Sequence, residues 1–293
     1  MLTDKMPFRP RDYFRVATVS EAVGLLNKYG RKAAVLAGGT DLLVAKPPHI
    51  EYIIDISQLP LNYVKKDRKG IRIGALATLN EIADSPFLED EPYDVIAKST
   101  LDMGTPLTKN YATIGGNLCN AAPSADMPPS LIALEAEASV IGPKGKRRIL
   151  VENFFMGPKK SALRRGEILT EIFVPEAPAG TKAVFLKKGR TSEDIAQVNV
   201  AVRLTIGDVV CKVARIVLGA VAPIPLRAKL AEAMLEGKKL GEIIKLVDAV
   251  AKQAAEETKP ITDIRATAEY RKAVAEVLTR RALLTLLERF EGG

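Results

Sequence analysis

The chain has no tryptophan, one histidine and two cysteines in 293 residues, and each scarcity removes a class of function. Single-strand nucleic-acid binders interleave aromatic platforms with cations. Here aromatics are 5% of the chain and the basic residues are scattered, with small groups only at Lys144-Lys146-Arg147-Arg148 and Lys159-Lys160. The net charge of +8 therefore reads as a solvated or partner-facing surface, and no nucleic-acid partner is expected. Cys119 and Cys211 lie far apart in sequence. Two cysteines imply neither a disulfide framework nor a zinc site, and they are too few for an iron–sulfur cluster held by four ligands. His49, beside Pro47-Pro48 and Ile50, reads as a solvated loop residue. With no second histidine and no nucleophile elbow, triad chemistry is not indicated. No apolar run approaches membrane-spanning length, and the polar start over residues 1–11 does not resemble a signal peptide. A cytoplasmic protein without membrane insertion is expected. G-x-G-x-x-G and G-K-[ST] are both missing, which excludes the Rossmann and Walker phosphate loops.

What is present is an ordinary globular composition, 47% hydrophobic and 27% charged, on a chain long enough for two domains and an ample core. Apolar patterning predicts helices over 21–29, 78–83, 93–100 and 131–134, and strands over 33–37, 52–56, 71–73, 138–141, 148–151 and 167–174. The segment Glu176-Ala177-Pro178-Ala179-Gly180 reads as a linker. Beyond it, strands over 183–186, 198–206 and 209–218 follow one another without intervening helix, with the turn at Gly207-Asp208, and so predict an antiparallel sheet. Three helices over 227–236, 240–256 and 266–290 close the chain. The class is α+β, with domains expected at 1–177 and 178–293.

Two glycine-rich stretches stand out. In the first, the apolar run Val35-Leu36-Ala37 feeds Gly38-Gly39-Thr40-Asp41-Leu42. Paired glycines let successive amides turn toward one anion and let a pyrophosphate approach the main chain, although an ordinary strand-end turn has the same composition. In the second, Thr113-Ile114-Gly115-Gly116-Asn117 leads through Asn120 and Ser124 to the single acid Asp126, then to Pro128-Pro129. A stretch this rich in Gly, Asn, Ala and Pro reads as a ligand-lining or surface loop rather than a core element.

At these residues the sequence resembles the flavoprotein medium subunits of molybdenum hydroxylases, the family of carbon monoxide dehydrogenase, bacterial xanthine and nicotinate dehydrogenases and aldehyde oxidoreductases. The likeness rests on Ala37-Gly38-Gly39-Thr40-Asp41, Thr113-Ile114-Gly115-Gly116-Asn117 and Pro123-Ser124-Ala125-Asp126. It continues in Phe185-Leu186-Lys187-Lys188-Gly189-Arg190, Asp194-Ile195-Ala196-Gln197-Val198-Asn199 and Asp263-Ile264-Arg265-Ala266-Thr267. The resemblance implies a two-part FAD-binding domain of the vanillyl-alcohol-oxidase type, followed by a three-stranded antiparallel sheet with three helices. It implies FAD contacts from Val35, Leu36, Ala37, Gly38, Gly39, Thr40, Asp41, Leu42, Gly104, Thr113, Ile114, Gly115, Gly116, Asn117, Ser124 and Asp126. Leu169 would pack on the flavin ring, and a lysine, Lys187 or in the other register Lys188, would approach it. For Arg190 and Asp194 a local ion pair is as good a reading as a flavin contact. No catalytic or metal-binding side chain is implied. Electrons would arrive from a large molybdopterin-binding subunit through a small 2Fe-2S subunit and leave to an external acceptor, commonly within a heterohexamer. The branch carrying four extra cysteines, the hydroxybenzoyl-CoA reductases, is excluded by the two-cysteine count.

Two rival readings share the composition. One is a self-contained flavin oxidoreductase, akin to the peptidoglycan reductase that uses NADPH, which needs a substrate base that the sequence does not display. The other is a colourless, non-enzymatic basic binding protein.

Overall fold

The computed structural model describes residues 8–191 and 193–292, so residues 1–7 of the polar start lie outside it. The chain begins with a small parallel sheet in the order Asp12–Arg15, Tyr52–Asp55, Ala33–Leu36. The first and last of these are joined through the helix Val19–Tyr29, the crossover that a parallel pair requires. Thr18 caps that helix by accepting from the Glu21 amide, and Ala22 and Leu26 bury its inner face beside Ile54 and Ile56.

A five-stranded antiparallel sheet follows, with Ile168–Pro175 at its centre between Gly70–Gly74 and Glu137–Gly142. Val64–Asp67 and Gly145–Leu150 form its edges. The edge strand Val64–Asp67 escapes sequence patterning because three of its four residues are charged and exposed or nearly so. Short helices at Leu79–Ala83, Asp94–Leu101, Ile114–Asn120 and Met127–Ala133 cover one side.

The last part is a sheet in the order Thr181–Lys188, Val198–Gly207, Val210–Gly219, Leu226–Arg227, with the helices Lys229–Leu235, Leu240–Glu256 and Ala268–Glu291. The expected three-stranded sheet thus carries a fourth, two-residue strand. Two residues are too few to alternate, and Pro223 and Pro225 mark the segment as loop. The turn residues are Asp208 and Val209, both with positive φ (53° and 57°), one step later than the expected Gly207-Asp208. That is the handedness a tight hairpin needs.

This sheet is covered on both faces. Ala183, Ala201 and Val217 face the helices of the preceding part, while Val200, Val202, Leu204, Ile216 and Leu218 face the three C-terminal helices. The strand Val198–Gly207 is therefore nearly all buried, and the polar residues Asn199, Arg203 and Thr205 among its apolar ones are buried with it. Among the described residues no helix is long and apolar enough to cross a membrane.

Arg271, buried on the last helix, ties the preceding loop to the sheet. It donates to the carbonyls of Gln197 (2.6 Å) and Ala220 (3.2 Å) and to Asp263 Oδ1 (2.8 Å). Arg271→Met strands three acceptors and should cost about 3–5 kcal/mol in urea denaturation. Partial burial opposes ionisation of Asp263, but the Arg265 amide and the Arg271 guanidinium outweigh it and hold the carboxyl at about 2, below its ordinary 3.8. The stability this supplies is complete above 3.8 and fades as pH falls toward 2. An acid titration of Arg271→Met should therefore show a weaker loss over that interval than the parent protein.

Candidate cofactor cleft

A cleft of about 680 Å³ opens between the first parallel sheet and the helix-covered sheet, and the start of the C-terminal part overhangs it. It lies within the range of cofactor sites, about 300–1,000 Å³. Of the residues singled out from sequence, Val35, Ala37, Gly38, Gly39, Thr40, Asp41, Leu42, Gly104, Thr113, Gly115, Gly116, Asn117, Ser124, Asp126 and Leu169 line it. Leu36, Ile114 and Lys187 do not. Leu36 belongs to the strand beneath Gly39, Ile114 is fully buried in the core, and Lys187 is turned into the wall. His49 is exposed, as expected of a loop histidine.

The two glycine segments are in direct contact. A Cβ on Gly38 would lie 1.6 Å from the Tyr111 carbonyl oxygen, so only glycine lets the first loop rest on the chain entering the second. Asn120 Nδ2 donates to Asp41 Oδ1 (2.6 Å), and Lys159 Nζ donates to Asn120 Oδ1 (2.9 Å), joining both segments to a third.

Their amides are used differently. Among the described residues, the amides of Gly38, Gly39, Thr40 and Asp41 find no acceptor, and all four residues line the cleft. Four successive free donors at a strand end form an anion-binding concavity. The second segment is a loop only over residues 121–126, between two helices. Thr113 caps the helix Ile114–Asn120, and its hydroxyl accepts from the Gly116 amide. The amides of Ile114 and Gly115 donate to Ala77 and Ala75, and that of Asn117 donates to the Thr113 carbonyl. Ile114 and Leu118 are core residues. Composition hid this because Gly115 lies so close to Ala75 (2.6 Å from a would-be Cβ to its carbonyl oxygen) that a larger side chain does not fit. What this helix offers the cleft is side-chain chemistry. Asn117 Oδ1 is buried without a partner, and a Cβ at Gly116 would meet one atom alone, the Thr113 hydroxyl oxygen.

At the other end Asp126 sits in the wall, 3% exposed. Lys187 Nζ donates to its Oδ2 (2.8 Å) and to the Asp102 carbonyl (2.5 Å), and Asn199 Nδ2 donates to its Oδ1 (2.5 Å). Burial pushes the Asp126 carboxyl up from its ordinary value, against the pull of Lys187 and Asn199. Lys187 is thus a buried partner of Asp126 rather than a free cation in the cleft, and Lys188, next along the strand, is exposed. Leu169 is buried beside a β-bulge in the central strand. Arg190 and Asp194 form the local ion pair (3.0 Å).

Sequence reading missed Lys159. It is the single cation among the described lining residues, against Asp41, Asp126, Glu167, Glu193 and Asp194. It sits at a hairpin tip with φ of 59°, pinned by its amide to the Ala121 carbonyl (2.8 Å). Nothing in a Lys-Lys pair after Gly157-Pro158 announces that conformation. Cys119 also lines the cleft, and burial pushes its thiol up to about 12, so it stays protonated.

Two glycine substitutions should separate packing from ligand space. Gly38→Ala forces backbone apart and should lower stability by about 1–3 kcal/mol, read by thermal melting. Gly116→Val meets only the Thr113 hydroxyl oxygen, 3.0 Å from its Cβ, and otherwise projects into the cleft. It should melt near the parent temperature while retaining little of the FAD that the resemblance implies, read from flavin absorbance per chain.

The comparisons with known proteins agree in order and extent with this architecture. Residues 6–177 match the family model described as the FAD binding domain in molybdopterin dehydrogenase, and residues 183–286 match the CO dehydrogenase flavoprotein C-terminal domain. The chain is 34% identical over 278 residues to the carbon monoxide dehydrogenase medium chain of Afipia carboxidovorans, covering 93% of this chain and 95% of that one. It is 32% identical over 274 residues to the glyceraldehyde dehydrogenase medium chain of Sulfolobus acidocaldarius, covering 92% and 96%. In structure it superposes on the carbon monoxide dehydrogenase of Hydrogenophaga pseudoflava with a TM-score of 0.90 at 33% identity, covering 96% and 98%. The chain therefore belongs to the family of FAD-binding medium subunits of the molybdopterin dehydrogenases, the carbon monoxide dehydrogenase flavoproteins among them.

Proposed function

We propose that this chain is the FAD-carrying electron-transfer subunit of a molybdenum hydroxylase complex, held with a large molybdopterin-binding subunit and a small 2Fe-2S subunit. The observation that carries the reading is that four residues with unpaired amides, Gly38 to Asp41, line one cleft together with Asn117, whose buried Oδ1 has no partner. Unmet donors suit a diphosphate, and an unmet acceptor suits a ribityl or ribose hydroxyl. Full-length matches to medium chains favour this reading over a self-contained oxidoreductase or a non-enzymatic binder.

The chain's residues fit the cofactor in three zones. Residues 35–42 and Gly116 would take the diphosphate, with Thr113, Asn117, Gly104 and Ser124 beside it and Lys159 near the anionic end. Asp126 would meet the ring end, Leu169 would form an apolar wall, and Lys187 would act through Asp126. Bound there, FAD supplies a carrier that accepts electrons and passes them to an external acceptor. The protein's part is to hold it, shield it and set its potential through nearby charge and hydrogen bonds. The division at 177/178, the vanillyl-alcohol-oxidase-type layout of the first part and a cytoplasmic home belong to the same proposal.

Lys159 gives a direct test of the diphosphate zone. Asp126, Glu167 and Asp194 are neutralised by Lys187, Arg147 and Arg190, but the cleft still holds more acid than base. Lys159→Gln should weaken FAD binding to the apoprotein about tenfold at low salt, equivalent to about 1.4 kcal/mol. The difference should shrink at high salt because the lysine is solvent-accessible. An unchanged, salt-independent affinity would remove Lys159 from the zone.

The reading as a whole is tested by purification from the source cells. A yellow protein that travels with one molybdenum-containing and one iron–sulfur subunit is the expected result. A colourless chain that takes up no added FAD would overturn it, and a yellow, solitary chain that turns over a substrate would favour the self-contained oxidoreductase.

A further inference from the structure

Asp126 precedes the helix Met127–Ala133, where an aspartate ordinarily turns back to cap the first free amides, and here it makes no such bond. Its carboxylate is instead held from across the molecule by one row of the C-terminal sheet. Lys187, Asn199 and Gly219 stand directly opposite one another on three neighbouring strands, Lys187 paired with Asn199 and Asn199 with Gly219. Lys187 takes one carboxylate oxygen and Asn199 the other. Asn199 also donates to the Ala125 carbonyl (3.3 Å), so it grips both the side chain and the main chain of this segment. The glycine is part of the device, because a Cβ at Gly219 would lie 2.1 Å from Asn199 Oδ1 and push the amide out of place.

Packing does not account for Asn199. It is 0% exposed, and its Oδ1 has no hydrogen-bond partner. A leucine of similar volume would remove this unmet acceptor but would take the amide donor away from Asp126 Oδ1 and the Ala125 carbonyl, so what the asparagine supplies is that grip. A costly polar group retained beside a ligand cleft points to a task performed on the residue it holds.

We propose that Asn199 is a positioning residue for the proposed flavin: with Lys187 and Gly219 it fixes the Asp126 carboxylate at the ring end of the cleft and thereby tunes the cofactor's reduction potential. The inference rests on the FAD reading above. With Asn199 in place, the carboxylate stays close to Lys187 and offsets its charge. Without the amide donor, Asp126 is held by Lys187 alone in a buried site that disfavours its ionised form. The lysine is then less compensated, and positive charge beside the ring favours the reduced, more negative flavin.

The experiment compares the full-length parent with Asn199→Leu and Asn199→Ser, each reconstituted with FAD, by melting temperature, FAD dissociation constant and spectroelectrochemical titration at one fixed pH. Both variants should fold and bind FAD within about threefold of the parent, since the diphosphate zone is untouched. Both should favour reduced flavin about tenfold more, a rise of about 30 mV for a two-electron couple. Normal FAD binding with an unmoved potential in a folded variant would overturn the role of Asn199 while leaving the FAD reading intact. So would failure of both variants to fold, which would make Asn199 a purely structural residue. If the parent itself takes up no FAD, it is the underlying reading that fails.

Discussion

The cleft depends on one main-chain contact. Gly38 lies so close to the Tyr111 carbonyl that no side chain fits between them, and this contact brings two segments some seventy residues apart in sequence onto the same cavity. Everything near the proposed diphosphate zone follows from it. The first loop, pressed against the incoming second segment, has no main-chain partner to spare for its own amides. Among the described residues, those of Gly38 to Asp41 are left without an acceptor, on residues that line the cleft. The second segment, having a helix to start and a sheet to join, spends its amides on itself and on Ala75 and Ala77. Two glycine pairs of similar appearance thus do different physical work. One pair exposes donors, and the other allows a helix to sit tightly on the turn that follows the strand Gly70–Gly74.

Charge in the cleft is arranged by pairing rather than by excess. Asp126, Glu167 and Asp194 each have a basic partner outside or within the wall, and Arg147 grips Glu167 with two bonds (2.8 and 2.7 Å). An anionic dinucleotide in this cleft would therefore meet amide dipoles and, among the described lining residues, a single solvent-accessible cation, Lys159. Such a site binds through fixed, unpaired main-chain donors, which need no reorganisation on binding, rather than through a net positive field. The overall charge of +8 belongs largely to other surfaces.

The two parts of the chain are joined where the proposed ring end lies. The sheet of the C-terminal part reaches Asp126 through Lys187 and Asn199, and the Gly104 amide donates to the Glu193 carbonyl (3.3 Å) from the same side. Arg203, itself buried, adds a bond to Glu135 (2.9 Å) further along the boundary. A ligand in the cleft would thus touch both parts, and the geometry at its ring end is set by the docking of one upon the other. The elements behind this boundary were legible in sequence almost to the residue. The helices Leu240–Glu256 and Ala268–Glu291 and the strands Val198–Gly207 and Val210–Gly219 fall near the expected places because their apolar periods are long and their turns are marked. The charged edge strand Val64–Asp67 and the two-residue strand Leu226–Arg227 were not legible. An edge needs no apolar alternation, and a pair of residues flanked by proline has no period.

By itself the sequence determined where the main chain could be approached most closely, since glycine has no Cβ in the way, and it determined the order of strands and helices through their periods. It also carried the family resemblance in its glycine segments. Tertiary structure alone decided the use of those residues. Whether an amide is free depends on what its neighbours offer, and neighbours such as Tyr111, Ala75 and Ala77 are brought in by folding. Whether Lys187 is a cation in the cleft or a buried partner of Asp126 depends on a strand register that pairs it with Asn199, and no local pattern specifies a cross-strand partner. Lys159 enters the cleft only because its hairpin tip is pinned to the Ala121 carbonyl. Local propensity and period are properties of a segment and can be read from it. The pairing state of a polar group is a property of the packed molecule.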